Sequence, residues 1–315
     1  MLFKTGPPFY IFFTLRLFFK LLFKKNDLLY SNDLDTLLPN FLVSKLRNIP
    51  LIYDSHELFC EVPELQQSPF KRRAWLKLES SIVPRLKYCI TVNESIAKIF
   101  ASKYRVPFTV VKNIPDTPKD FVAQSKQELK LPSDKKIIIL QGAGINIDRG
   151  AEELVDAMQF TNNVLLLVIG SGDCWPLLKQ KVKALALETK VLMIDKLPKN
   201  VLMNYTYNAD LGISIDKNTN PNYYNSLPNK IFDYLHAGVP ILASRLPEIE
   251  NIISTYQAGD FIDSYDPKHI AMKIMELINS PKLPEYKANT LKARTALTWQ
   301  GEKTNLMTVI KKSQE

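Results

Sequence analysis

Short apolar runs that stop at polar residues alternate along the chain with longer stretches of helical period. In the first half the runs are residues 27–31, 50–53, 88–92 and 108–111. In the second half they are 136–141, 164–169, 191–194, 211–215, 240–242 and 261–262. Helical stretches lie between them, such as 36–46, the basic 70–81 and 151–158. Strands separated by helices of this length predict βαβ units and parallel sheets, an α/β fold. The run VLLLVI at 164–169 has no polar interruption, as a strand covered on both faces requires. Residues 114–133 are rich in Pro, Lys, Asp and Gln and carry no strong apolar period, so they read as a linker. The expected organisation is two domains, 1–120 and 121–295, followed by a last helix over 296–315.

Composition and charge refine this picture. A chain of 315 residues with 46% hydrophobic and 23% charged side chains is globular and long enough for two cores. The net charge of +9 is uneven: residues 1–130 hold 20 Lys/Arg against 12 Asp/Glu, residues 131–315 hold 21 against 20. A basic half beside a neutral half points to an anionic partner for the first, and charge alone does not say which. Cys60, Cys89 and Cys174 are far apart, and His56, His236 and His269 form no Cys/His cluster with them. Buried free thiols, no zinc site and a reducing cytoplasm are therefore expected. Residues 9–23, FYIFFTLRLFFKLLF, are interrupted by Arg16 and Lys20 and are shorter than the roughly 20 apolar residues of a span. They read either as a core helix or as a basic-aromatic face resting on a membrane surface, and one helix could serve both roles. No basic run interleaved with aromatics suggests nucleic-acid binding.

Ligands of open parallel sheets sit beyond the carboxyl ends of the strands, which directs attention to three segments. The first is QGAGINIDRG, residues 141–150. Gly142 and Gly144 allow close backbone approach, a helix start follows, and Arg149 could clamp a diphosphate or simply sit on a surface turn. The second is NSLPNKIFDYLHAGVP, residues 225–240. Pro228 near the first turn and Gly238 after the last periodic residue delimit one short helix. Ile231, Phe232 and Leu235 should face inward, with Lys230 and Asp233 near one another on a common face. A cation and a carboxylate suit phosphate and paired ribose hydroxyls; the plain alternative is a surface Lys–Asp pair. The third is YDSHELFCEVPEL, residues 53–65, where His56 stands at a strand end and can exchange hydrogen bonds or protons near neutrality. Glu57, Glu61 and Glu64 could act as bases, though loop glutamates are usually only solvated.

These segments, with TVNESIA, VVKNIP, GAGINIDRGAEELVDAM, YNADLGISI and PNKIFDYLHAGVPILAS, resemble the family 4 glycosyltransferases from about residue 27 onward. That resemblance implies a GT-B architecture of two Rossmann-like domains facing a cleft, with 1–120 on the acceptor side and 121–295 binding a nucleotide sugar. It implies retaining, metal-independent transfer with no cofactor beyond the nucleotide-sugar donor. Asp233 matches the glutamate that binds the donor ribose, and Asn225 matches the one that contacts the sugar. Ser226 and Leu227 fall in the loop whose amides touch phosphate and sugar, and Lys230 belongs to the PxK pattern. Arg149 matches a diphosphate-binding cation and His56 a histidine of the acceptor side. His56 and Asn225 are thus the candidate catalytic pair.

The chain departs from the pattern in three places. Asn225 is not a carboxylate. The second basic residue of the first loop falls on Ala143, leaving Lys196 as a substitute cation. The chain also reaches the helix at 9–23 almost at once, so the first strands of the N-terminal sheet are expected to be missing, through truncation or a start codon placed too late. The expected activity is sugar transfer to a lipid-linked or polysaccharide acceptor at the cytoplasmic membrane face. The alternatives are a non-catalytic nucleotide-binding remnant and a GT-B epimerase or phosphorylase.

Overall fold

A computed structural model describes residues 6–116, 118 and 121–315; residues 117, 119 and 120 of the expected linker and 1–5 of the expected first domain lie outside the described residues. In chain order the elements are α1 (Gly6–Phe23), β1 (Leu29–Asn32), α2 (Asp33–Arg47), β2 (Leu51–Ser55), α3 (Pro63–Gln66), α4 (Pro69–Ile82) and β3 (Tyr88–Thr91). Next come α5 (Glu94–Tyr104), β4 (Thr109–Val110), β5 (Lys136–Gly142), α6 (Ala151–Ala157), β6 (Val164–Gly170), α7 (Trp175–Ala184), β7 (Val191–Asp195) and α8 (Lys199–Tyr207). The remainder is β8 (Leu211–Ser214), α9 (Pro221–Tyr224), α10 (Asn229–Ala237), β9 (Ile241–Ser244), α11 (Pro247–Tyr256), β10 (Gly259–Ile262), α12 (Pro267–Ile278), α13 (Leu283–Ala296) and α14 (Trp299–Gln314). All ten expected strands are present, and every pairing is parallel. The fold is α/β with two Rossmann-like sheets.

The chain divides into two compact units. The first holds Met1–Asn113, Asn220–Ser226 and Gln300–Glu315; the second holds Ile114–Thr219 and Leu227–Trp299. The first boundary therefore falls at 113 rather than 120. The last helix is not a separate piece: all but its first residue belongs with the first unit, as does the loop 220–226.

In the first unit the four strands run in the order β1-β2-β3-β4. Leu34, Leu37, Tyr53, Ile96 and Phe100 build the core on one side, and Val309 of α14 joins Ile52 and Ile90 on the other. Strand residues alternate between faces, which is why Tyr53 and its neighbour Ile52 enter different clusters. Helix α1 packs on α2 and lays Phe18, Leu21 and Leu22, partly buried, against the core. Its other side leaves Ile11, Leu15, Phe19 and Phe23 between 49% and 81% exposed, so the helix has a core side and an apolar outer side. No described helix is long and apolar enough to cross a membrane.

The second unit has a six-stranded sheet in the order β10-β9-β8-β5-β6-β7. Its central strands are buried on both faces: Ile138, Leu140, Leu166 and Val168 serve one core, while Ile137, Ile139, Leu165 and Leu167 serve the other. That double burial is the cause of the uninterrupted apolar runs in the sequence. The chain steps outward from β5 to β6 and β7, then returns to place β8 on the other side of β5. The reversal creates a switch point between β5 and β8, where the loops after the two strands diverge and leave room for a ligand. Cys60, Cys89 and Cys174 are free and buried.

Candidate functional site

The site residues of the second unit gather at this switch point. After β5 the chain turns through Gly142–Gly144 and enters α6 at Gly150, whose φ of 76° is left-handed. A Cβ on Gly150 would lie 2.2 Å from the Ile215 carbonyl oxygen, so only glycine lets this loop close against the end of β8. The amide of Lys217 completes the join by donating to the Asp148 carbonyl at 2.9 Å. Arg149 is thereby held beside Asp216, and its Nη1 donates to Asp216 Oδ1 at 3.0 Å. Gly142 and Gly144, by contrast, meet nothing closer than 3.8 Å. Their lack of a side chain leaves space, and the fold itself does not require it.

Helix α10 approaches the same place from the other side. Pro228 is its N-cap and Gly238, at φ 74°, closes it in the left-handed conformation. Ile231, Phe232, Tyr234 and Leu235 are buried. Tyr234 lies across the sheet because Gly212 has no side chain: a Cβ there would sit 2.5 Å from the ring. The Tyr234 hydroxyl accepts from the Gln141 amide and lies within hydrogen-bond reach of the Ile139 and Ile213 carbonyls. This pins the helix over the ends of β5 and β8.

Lys230 and Asp233 do not form the mutual pair that their spacing allows. Lys230 Nζ reaches Asp216 Oδ2 at 3.2 Å with 11% of its side chain exposed, whereas the Asp233 carboxylate accepts from Gln141 Nε2 at 3.0 Å. The surface-pair reading is excluded by that burial. Gln141 is oriented in turn by Thr206, whose hydroxyl donates to Gln141 Oε1 at 2.7 Å. Burial pushes the Asp233 carboxyl up, with Lys199 and Gln141 opposing. A small recess opens beside it, lined by Gln141, Lys199, Met203, Thr206, Tyr207 and His236. His236 faces the Leu297 carbonyl, and burial pushes its pKa down, so at neutral pH its Nε2 donates as a neutral ring. Lys196 stands exposed beyond β7, the edge strand two removed from β5, and takes no part in the Arg149–Asp216–Lys230 cluster.

In the first unit the loops after β2 and β3 meet residues 220–226. His56 follows β2, its Nε2 lies 3.3 Å from Asp54 Oδ2, and its amide donates to Asp33 Oδ1 at 2.8 Å. The hydrogen bond to Asp54 raises the imidazole pKa against the opposing effect of burial. Asn222 links to the same loop, donating from Nδ2 to Glu57 Oε2 at 2.9 Å and accepting at Oδ1 from the Leu58 amide at 3.0 Å. Asn93, after β3, donates to the Asn225 carbonyl at 2.8 Å. His56 and Asn225 thus belong to one connected loop cluster. The Asn225 side chain donates to the Pro221 carbonyl, and the amides of Asn225 and Ser226 bond to the Pro221 and Tyr223 carbonyls at 3.2 Å. Of the loop amides that the resemblance assigns to phosphate and sugar, that of Ser226 is taken up by the Tyr223 carbonyl, because α9 closes on it as a tight turn. Leu227 packs its side chain against the core of the second unit.

Sequence reasoning missed Asp216, Gln141, Thr206 and Lys199. Asp216 and Gln141 stand at strand ends, where position alone marks them for inspection. Thr206 and Lys199 lie on α8, and nothing in the local pattern distinguishes them from ordinary helix residues.

The profile of the family described as glycosyl transferases group 1 matches residues 122–294, more than half of the chain. The protein belongs to this family. A relative from Candida albicans, chitobiosyldiphosphodolichol beta-mannosyltransferase, is 23% identical over 266 residues; the match covers 75% of this chain and 56% of the relative. The chain thus spans little more than half the length of that curated relative. Among solved structures, Anabaena HepE in complex with UDP and glucose has a TM-score of 0.75 at 16% identity, covering 97% of this chain and 82% of the other. A glycosyltransferase from Rickettsia africae has a TM-score of 0.72 at 16% identity, covering 98% and 83%. These structural likenesses establish the GT-B fold of this member of the group 1 family.

Proposed function

We propose that the protein transfers a sugar from a nucleotide-sugar donor to a lipid-linked or polysaccharide acceptor, with retention and without a metal ion. The observation that carries this reading is the convergence of Arg149, Lys230 and Asp233 at the β5–β8 switch point. Two cationic side chains can donate to a departing diphosphate, and a desolvated carboxylate can accept from the two ribose hydroxyls. In this reading Gly142 and Gly144 admit the phosphates, Ser226 and Leu227 border them, and Lys196, exposed after β7, is the substitute for the cation missing at Ala143. His56 and Asn225 act on the acceptor and sugar side, His56 able to hold or pass a proton while Asp54 steadies its ring. The name of the Candida relative, with its dolichol-linked substrate, supports a lipid-linked acceptor. The UDP in HepE places UDP first among the nucleotides to try.

The reading extends to a peripheral contact of residues 9–25 with the inner face of the cell membrane. The outer side of α1 carries exposed Ile11, Leu15, Phe19 and Phe23, with Arg16, Lys20, Lys24 and Lys25 along the same stretch. Apolar side chains beside cations suit the interface of an anionic bilayer.

The deciding experiment is thermal stability of wild type and Asp233→Ala with UDP, GDP, ADP and their sugar derivatives. A ligand at one hundred times its Kd adds about 2.7 kcal/mol to the folded state, a rise of roughly 5–10 °C for domains of this size. One nucleotide should produce that rise in the wild type and not in Asp233→Ala. No rise with any nucleotide would sink the donor assignment. The anomeric configuration of the product, read by proton NMR against that of the donor, tests retention.

A further inference from the structure

Arg149 and Lys230 converge on one side chain that the sequence did not single out. Asp216 follows β8 and is fully buried. Its Oδ1 accepts from Arg149 at 3.0 Å, and its Oδ2 accepts from Lys230 at 3.2 Å and from the Ser214 hydroxyl at 3.0 Å. Its own carbonyl accepts from the Tyr265 hydroxyl at 2.8 Å, and the same hydroxyl lies 3.0 Å from Ser244 Oγ. The backbone that carries the carboxylate is thereby anchored to the loop after β10. Three chain segments, the β5–α6 loop, the β8 end and the first turn of α10, meet on this carboxylate.

A buried carboxylate with two cationic partners leaves a cluster of net charge +1. The two cations would repel one another without it. With it they stand side by side, and only one positive charge is left to a ligand. We propose that Asp216 is the positioning residue of the donor site: it holds Arg149 and Lys230 together and cancels one of their charges, so that the nucleoside diphosphate product is bound but not trapped. This rests on the reading that Arg149 and Lys230 face the donor phosphates. Burial alone would push the Asp216 carboxyl up, but Lys230 and Arg149 hold it below the usual carboxylate range. Burial pushes the Lys230 ammonium down, and Asp216 is the group that opposes this. The charged groups facing Lys230 are Asp216 from the β8 end and Arg149 from the β5–α6 loop; Asp233, on the same helix, is turned to Gln141.

The test measures UDP, GDP and ADP binding by calorimetry to the whole protein as wild type, Asp216→Asn, Lys230→Met and the double variant. Lys230→Met leaves Arg149 and Asp216 at net zero and should weaken binding by about ten-fold, the scale of one charge-assisted hydrogen bond. Adding Asp216→Asn to it restores one net positive charge and should recover about five-fold, a gain that a merely structural role would not produce. Asp216→Asn alone leaves Lys230 buried without its carboxylate, so its binding should fall more steeply from pH 7 to pH 9 than that of the wild type, while the double variant, which lacks Lys230, stays level. If Asp216→Asn does not fold, the comparison of Lys230→Met with the double variant decides by itself. A double variant that binds no better than Lys230→Met overturns the role of Asp216 while the donor site stands. A wild type that binds none of the three nucleotides overturns the donor site, and the role of Asp216 with it.

Discussion

At the scale of single residues, Asp233 shows a conflict between stability and binding. Its carboxyl is raised by burial, so the folded protein holds that proton more tightly than the unfolded chain does. Stability from the protonated form is complete below the usual carboxylate range and is lost as pH rises through the folded value. Asp233→Asn keeps the acceptor for Gln141 and removes the charge. It should therefore raise Tm by about 2–4 °C at pH 8, roughly 1 kcal/mol, with the gain shrinking toward pH 4 and nucleotide binding lost. Thermal scans across pH check this, and a Tm lower than wild type at pH 8 would refute it. His56 has the same sign, since Asp54 raises its pKa. Its contribution is present below about pH 6.5 and fades as pH passes the folded value, and with 44% of the side chain exposed it is small. Asp54→Asn should bring the imidazole pKa down, measured by NMR titration of the ring protons.

At the scale of elements, the join between the β5–α6 loop and the end of β8 depends on one glycine. Gly150→Ala meets both the left-handed backbone and the Ile215 carbonyl. It should cost about 2–4 kcal/mol, above the usual cost of alanine at such a φ because the overlap adds to it, and it should weaken nucleotide binding by displacing Arg149. Chemical denaturation and calorimetry read the two effects. Helix α1 offers a separate test: replacing Leu15, Phe19 and Phe23 with Ser should abolish co-sedimentation with phosphatidylserine-containing vesicles while the far-ultraviolet circular dichroism is unchanged. The strands were legible because each is an apolar run closed by a polar residue, and α10 because Pro228 and Gly238 frame it. The partners of Lys230 and Asp233 were not. A spacing of three places two side chains on one helix face, but what each meets is decided by Asp216 and Gln141, 14 and 92 residues away in sequence. The shared use of Asp216 is a tertiary fact with no local signature.

At the scale of the whole molecule, the first unit is assembled from three separate stretches of chain. Its last stretch lays Val309 against Ile52 and Ile90, and Glu302 Oε2 accepts from the Lys112 amide at 2.9 Å. Deleting residues 300–315 should expose that face and cost several kcal/mol, at about 1.5–3 kcal/mol for each fully buried aliphatic side chain. Hydrogen exchange should show protection lost in β2 and β3 and retained in β5 and β6; equal loss in both sheets would contradict the division. The same arrangement sets an order of events at the ribosome. The strands β1–β4 are synthesised first, yet Ile52 and Ile90 wait for a helix made 187 residues after Asn113, roughly 10–40 s later at ordinary elongation rates. The face of the first sheet that Val309 covers in the finished protein therefore stays open for that interval and depends on chaperones to shield it.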